Sequence, residues 1–193
     1  MNYDIPIYSR IARHFHWWVA FLIFLQLPIG FYMNYRRTEM PSTNEAGETV
    51  LGVSDGITKF FYSSHKFLGL FILVLVLLRL IYRFAHGVPK PDTSVPPMMI
   101  GISHLVHWVI YLLLIFVPIG GYIAISYGGY LDVFGFSLPP VTAKDTKFAE
   151  ELFEFHAFAA SLLLALVSIH IIAALYHRFI RRDRILERMI PHR

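Results

Sequence analysis

Histidine is the residue type here whose spacing points to chemistry. The stretch "FHAFAASLLLALVSIHIIAALYHRF" (155–179) is an apolar run interrupted by His156, His170 and His177. Imidazole is costly to bury in an apolar medium unless its nitrogens are satisfied. His156 and His170 are 14 residues apart. On an α-helix that is about four turns less 40°, so the two share a face, with a rise of roughly 21 Å between them. His16, near the start of the first apolar run, and His65, near the start of the second, supply a partner at each depth. The pairs are His16 with His170 and His65 with His156. Two facing imidazoles at one level of a helical bundle are what a noncovalent haem needs for its axial bonds. With both axial positions filled, the iron exchanges electrons and has no open site for a small ligand. The bland alternative is that each histidine bonds a neighbouring carbonyl or hydroxyl.

The same 14-residue step recurs on the other helices. His16 leads to Gly30, His65 to Arg79 and His107 to Gly121. A glycine at haem depth lets a flat macrocycle approach the backbone, although close-packing glycines are common in membrane spans anyway. An arginine inside a span needs an anion, which a haem propionate supplies. His104 and His107 share a face of the third run, and His177 follows His170 by seven residues. These three are candidates for a quinone pocket or propionate contacts, against an interfacial location with no role. His14 faces away from His16, and His86 and His192 read as loop and tail.

The elements that must position these residues follow from composition. The chain has 193 residues, of which 56% are hydrophobic, too apolar for an ordinary soluble domain. Four segments near 14–33, 58–84, 101–126 and 148–180 are long enough to cross a bilayer. The expected fold is an all-α integral membrane protein, a four-helix bundle forming a single domain over 1–193. The first segment follows Arg10 and Arg13 like a signal peptide, but no A-x-A-like cleavage site follows it, so it reads as a retained helix.

Charge sets the expected orientation. Four spans put both termini on one side, which collects 11 of the 17 basic residues (Arg10, Arg13, Arg79, Arg83, Lys90, Arg178, Arg181, Arg182, Arg184, Arg188, Arg193) and four acids. The other side has the remaining six basic residues against nine acids, a net of −3. The positive-inside rule places both termini in the cytoplasm. The overall charge of +4 reflects this asymmetry and does not indicate nucleic acid. Cysteine is absent, which excludes thiolate-held iron–sulfur clusters, disulfides and covalent c-type haem. No phosphate-binding glycine loop, H-E-x-x-H motif or evident Ser/His/Asp site is present.

At this point the residues carry a resemblance. "HFHWW", "SSHKFLGLFILVLVLLRLIYR", "MMIGISHLVHWVIYLLLIFVPIGG", "FHAFAASLLLALVSIHIIAALYH" and the tail "RILERMIP" are similar to the bacterial cytochrome b561 family. That resemblance covers nearly the whole chain and lapses in 34–57 and 127–147. It implies four membrane helices holding two b haems on His16, His65, His156 and His170. It also implies an activity known in the family, superoxide oxidase, with electrons passing through the haems to ubiquinone.

Three functions stay open on the sequence. One is a superoxide:ubiquinone oxidoreductase. Another is an electron-transfer subunit serving a partner dehydrogenase or hydrogenase, fed by a periplasmic donor. The third is a membrane metal-binding protein without haem, disfavoured as a transporter because intramembrane carboxylates are lacking. For a superoxide donor, Lys59, Lys66 and either Arg36 or Arg37 are candidates to ring the outer haem and steer the anion. Their alternative is ordinary membrane flanking.

Overall fold

A computed structural model describes residues 6–39, 42–43, 49–50, 56–92 and 95–190, with side chains between 37 and 55 outside the description. Four long helices carry the fold: α1 (Arg10–Glu39), α2 (Gly56–His86), α3 (Pro97–Gly128) and α4 (Thr146–Tyr176). All four are long and apolar enough to cross a membrane. Lipid offers the backbone no hydrogen-bond partners, so a spanning segment closes its own ladder as a helix. The bonding does not stop where the apolar residues stop, and each helix overruns its expected span at one or both ends. The α-helical ladder of α4 gives way after Tyr176, where His177–Arg181 continues as one π-helical turn and stops at Arg182, which has a left-handed φ of 55°.

The surface is the inverse of a soluble bundle. Phe24, Phe116 and Ile172 are 60%, 62% and 64% exposed, as expected of side chains that face lipid. Buried positions are mostly small or β-branched, such as Val76, Ala124 and Ala149, which allows close helix packing. Pro28 lies inside α1 and Pro118 inside α3, each followed at once by Ile-Gly.

The chain divides into two compact units. One comprises Met1–Val19, Val74–Val117 and Ala157–Arg193, and the other Ala20–Leu73 and Pro118–His156. In the first, the tail is a fastener. Arg188 donates to the carbonyls of Pro6, Pro89 and Lys90, while Tyr8 N–H donates back to the Arg188 carbonyl. Arg13, only 6% exposed, reaches the Ile190 carbonyl at 2.7 Å. The Trp17 indole N–H reaches Met189 at 2.8 Å.

In the second unit two short antiparallel hairpins join the helices, β1 (Ser42–Thr43) with β2 (Thr49–Val50), and β3 (Asp132–Val133) with β4 (Phe136–Ser137). Neither hairpin is expected from the sequence. The β3–β4 turn places Phe134 and Gly135 at φ 53° and 85°, the both-positive pattern of a tight hairpin turn. Phe134 N–H donates to Ser63 Oγ on α2. Asp145 Oδ1 then accepts from Phe148 N–H at 3.0 Å and caps α4.

Candidate functional site

The sequence-derived pairs are brought together, each inside one unit. In the unit of 20–73 and 118–156, the His65 and His156 rings have centres 6.1 Å apart and planes at 78°. Each ring backs onto a glycine of the neighbouring helix. A Cβ on Gly30 would lie 3.3 Å from His65 Cε1, and one on Gly121 would lie 2.9 Å from His156 Cε1. The two glycines therefore receive imidazole edges rather than lying open. His65 Nδ1 is buried with no hydrogen-bond partner.

In the other unit, His16 and His170 have ring centres 6.2 Å apart and planes at 79°. His107 adjoins this pair, its ring centre 5.0 Å from that of His170. Its Nδ1 lies 2.6 Å from the Ser103 carbonyl one turn back; an Nδ1–H donated there leaves Nε2 as the basic nitrogen. Arg79 is half-buried on α2 with its guanidinium 5.4 Å from the Tyr111 ring centre, and Arg83 follows at 5.9 Å. Both line a cavity of about 320 Å³ with Ser9, Tyr82, His86 and Met189, and none of the residues lining it is acidic. His86, expected in a loop, is instead the last residue of α2 and stacks on Tyr82 with ring centres 4.1 Å apart.

These features fit a bis-histidine haem. An iron bound by two imidazole nitrogens at about 2 Å each sets the ring centres about 6 Å apart. Both pairs meet that spacing. Each pair offers two imidazoles as donors, the set that a b-type haem iron takes from a protein. Arg79 and Arg83, in a cavity without acids, suit propionate groups.

The other candidates are placed less tightly. His104 is exposed on α3, and His177 Nδ1 lies 2.6 Å from Asp183 Oδ2, so its ring is engaged by the tail. Lys59 is exposed in the first turn of α2. Lys66 Nζ donates to the Tyr130 carbonyl at 3.0 Å and to the Asp132 carbonyl. Its head clasps the hairpin with two of its three donors. Arg36 is half-buried, and the Arg37 side chain lies outside the described residues, as does His192. Gln26 is absent from the sequence expectations; its Nε2 donates to the His65 carbonyl at 3.0 Å. Its signal is that of a lone amide inside the apolar run of α1.

Comparison with known proteins adds the identity. "Probable superoxide oxidase CybB" of Yersinia pestis is 35% identical over 129 residues, covering 66% of this chain and 73% of that protein. "Cytochrome b561 homolog 2" of Escherichia coli (strain K12) is 28% identical over 185 residues, 95% of this chain and 90% of the relative. "Cytochrome b562" of Cereibacter sphaeroides is 28% identical over 189 residues, 97% and 98% of the two chains. Residues 7–192, which include all four helices and both histidine pairs, match the prokaryotic cytochrome b561 family, so the chain belongs to that family of haem-binding membrane electron-transfer proteins.

Proposed function

We propose that this protein oxidises superoxide at the periplasmic side of a bacterial inner membrane and delivers the electrons to ubiquinone. The observation that carries the reading is the pair of imidazole couples at 6.1 and 6.2 Å, each set for one b haem. His65 with His156 would hold one, and His16 with His170 the other. When bound, such a group would supply one-electron transfer. Gly30 and Gly121 let the outer ligand rings seat against α1 and α3. Arg79 and Arg83 would neutralise propionates at the inner pair. Lys59 and Lys66 are two of the six basic residues on a face that totals −3 with them included, and local positive charge of this kind favours approach of a small anion. For quinone, His104, His107 and His177 remain candidates. The cavity lined by Ser9, Tyr82 and His86 offers a second set of hydrogen-bonding groups on the same unit.

A second reading has its own support. Two relatives that cover nearly all of this chain are named only as cytochromes, which suits an electron carrier fed by a partner enzyme. One experiment separates the two. The purified protein, loaded with haem as judged by pyridine haemochrome, is given a superoxide-generating system and a soluble ubiquinone analogue. Quinol formation that is abolished by His65→Ala, and a haem reduction rate that falls with ionic strength, are the expected results. Intact haem with no superoxide-dependent reduction would move the assignment to the partner-fed carrier.

A further inference from the structure

Two unmet polar atoms lie in one seam between α1 and α2. His65 Nδ1 and Gln26 Oε1 are both buried and neither has a hydrogen-bond partner. The seam is reciprocal. Gly30, one turn after Gln26, faces the His65 ring, with its Cβ position 3.8 Å from Nδ1. Gly69, one turn after His65, faces Gln26, with its Cβ position 3.4 Å from Nε2. Two glycines thus open the helix contact where two polar side chains enter it, and Gln26 is already held against this residue by the bond from its Nε2 to the His65 backbone carbonyl at 3.0 Å.

Chemistry makes the two orphans complementary. A histidine that gives Nε2 to a metal carries its proton on Nδ1, so Nδ1–H is a donor. The amide oxygen of Gln26 is an acceptor with nothing to accept. The ordinary helical outlet for such a proton is the carbonyl one turn back, which His107 and His86 both use through Ser103 and Tyr82. His65 does not. An isolated amide in the apolar run of α1 is itself costly in lipid unless it is used.

We propose that Gln26 is the positioning residue of the outer haem site, its Oε1 accepting from His65 Nδ1–H and so setting the basicity of that axial ligand. This rests on His65 being a haem ligand. Acceptance of that proton makes the imidazole a stronger donor to iron, which favours the ferric state and lowers the potential. The swing is a turn of the amide, because Nε2 already lies against the same residue.

The test is a spectroelectrochemical titration of the holoprotein and its variants, with electron paramagnetic resonance of the ferric haems. The component missing from His65→Ala identifies the outer haem; if that variant retains both haems, the ligand assignment fails. Gln26→Met, close in size and without the amide acceptor, should keep two haems per chain. It should raise the potential of the outer one, leave the other unchanged, and shift the outer resonance signal. Gln26→Glu restores an oxygen acceptor and should bring that potential to the wild-type value or below. If Gln26→Met leaves both potentials and both signals unchanged, Gln26 is only a stitch on the His65 backbone and the proposal is overturned. Should Gln26→Met lose the outer haem, Gln26→Glu decides: a potential at or below wild type upholds the proposal, and one above it overturns it.

Discussion

A methyl group distinguishes the two glycines that back His65 and His156. At Gly121 it would stand 2.9 Å from His156 Cε1 and 3.0 Å from Nδ1, closer than side-chain contacts run, while at Gly30 the nearest ring atom is 3.3 Å away. Alanine gains about 1 kcal/mol over glycine in helix propensity, but forced overpacking costs about 1–3 kcal/mol. At Gly121 the ring has to move, and the ring is the proposed ligand. Gly121→Ala is therefore expected to lose most of the outer haem, whereas Gly30→Ala keeps it with a small spectral shift. Pyridine haemochrome per chain and the redox-difference spectrum check this; equal haem loss in both variants would contradict the geometry. The four histidines and these glycines are legible in the sequence because one spacing repeats on three helices. Gln26 is not, since a single amide has no spacing to betray it and its role appears only once α2 lies against α1. Arg13 and Trp17 look like membrane-flanking residues for a similar reason. Their partners are the carbonyls of Ile190 and Met189, more than 170 positions away in the chain.

The helices themselves are legible because an apolar run of spanning length has no other stable form in lipid. Their ends are not, because the backbone ladder continues through polar residues on either side. The β3–β4 hairpin escapes sequence reading since its strands are two residues each and its turn uses Phe134 where asparagine or aspartate would advertise it. What secures so short a hairpin is α2: the Ser63 hydroxyl takes Phe134 N–H, and Lys66 takes the carbonyls of Tyr130 and Asp132. A hydrogen bond to a charged group contributes about 1.5–3 kcal/mol, and the half-buried site of Lys66 puts it toward the lower end. Removing it with Lys66→Met should loosen the hairpin. Amide exchange across 130–137 is expected to speed up by roughly tenfold, the factor that about 1.4 kcal/mol of local opening produces, with helix amides near Val76 unchanged. Unchanged exchange in the hairpin would return Lys66 to a purely electrostatic role, alongside Lys59.

At the scale of the whole molecule the governing feature is charge distribution. The side assigned to the termini carries 11 basic and four acidic residues, and the side of the two hairpins six and nine. Lys and Arg in short loops resist translocation, so the termini are expected in the cytoplasm and the hairpins outside. Under the proposed function this orientation matters: His65 and His156 lie in the first halves of α2 and α4, the helices that follow the hairpin segments in the chain, while His16 is near the start of α1 and His170 near the end of α4, so it decides which pair meets an external donor. The chain has no cysteine, so single introduced thiols report without background. Ser137 is exposed on β4, and Arg184 is exposed in the tail. In intact cells a membrane-impermeant maleimide should label Ser137→Cys and spare Arg184→Cys until the membrane is opened. The reverse pattern would place the His16–His170 pair toward the periplasm. Lys59 and Lys66 would then face the cytoplasm, where they could not steer superoxide generated outside, and Arg79 and Arg83 would be the cations nearest the donor.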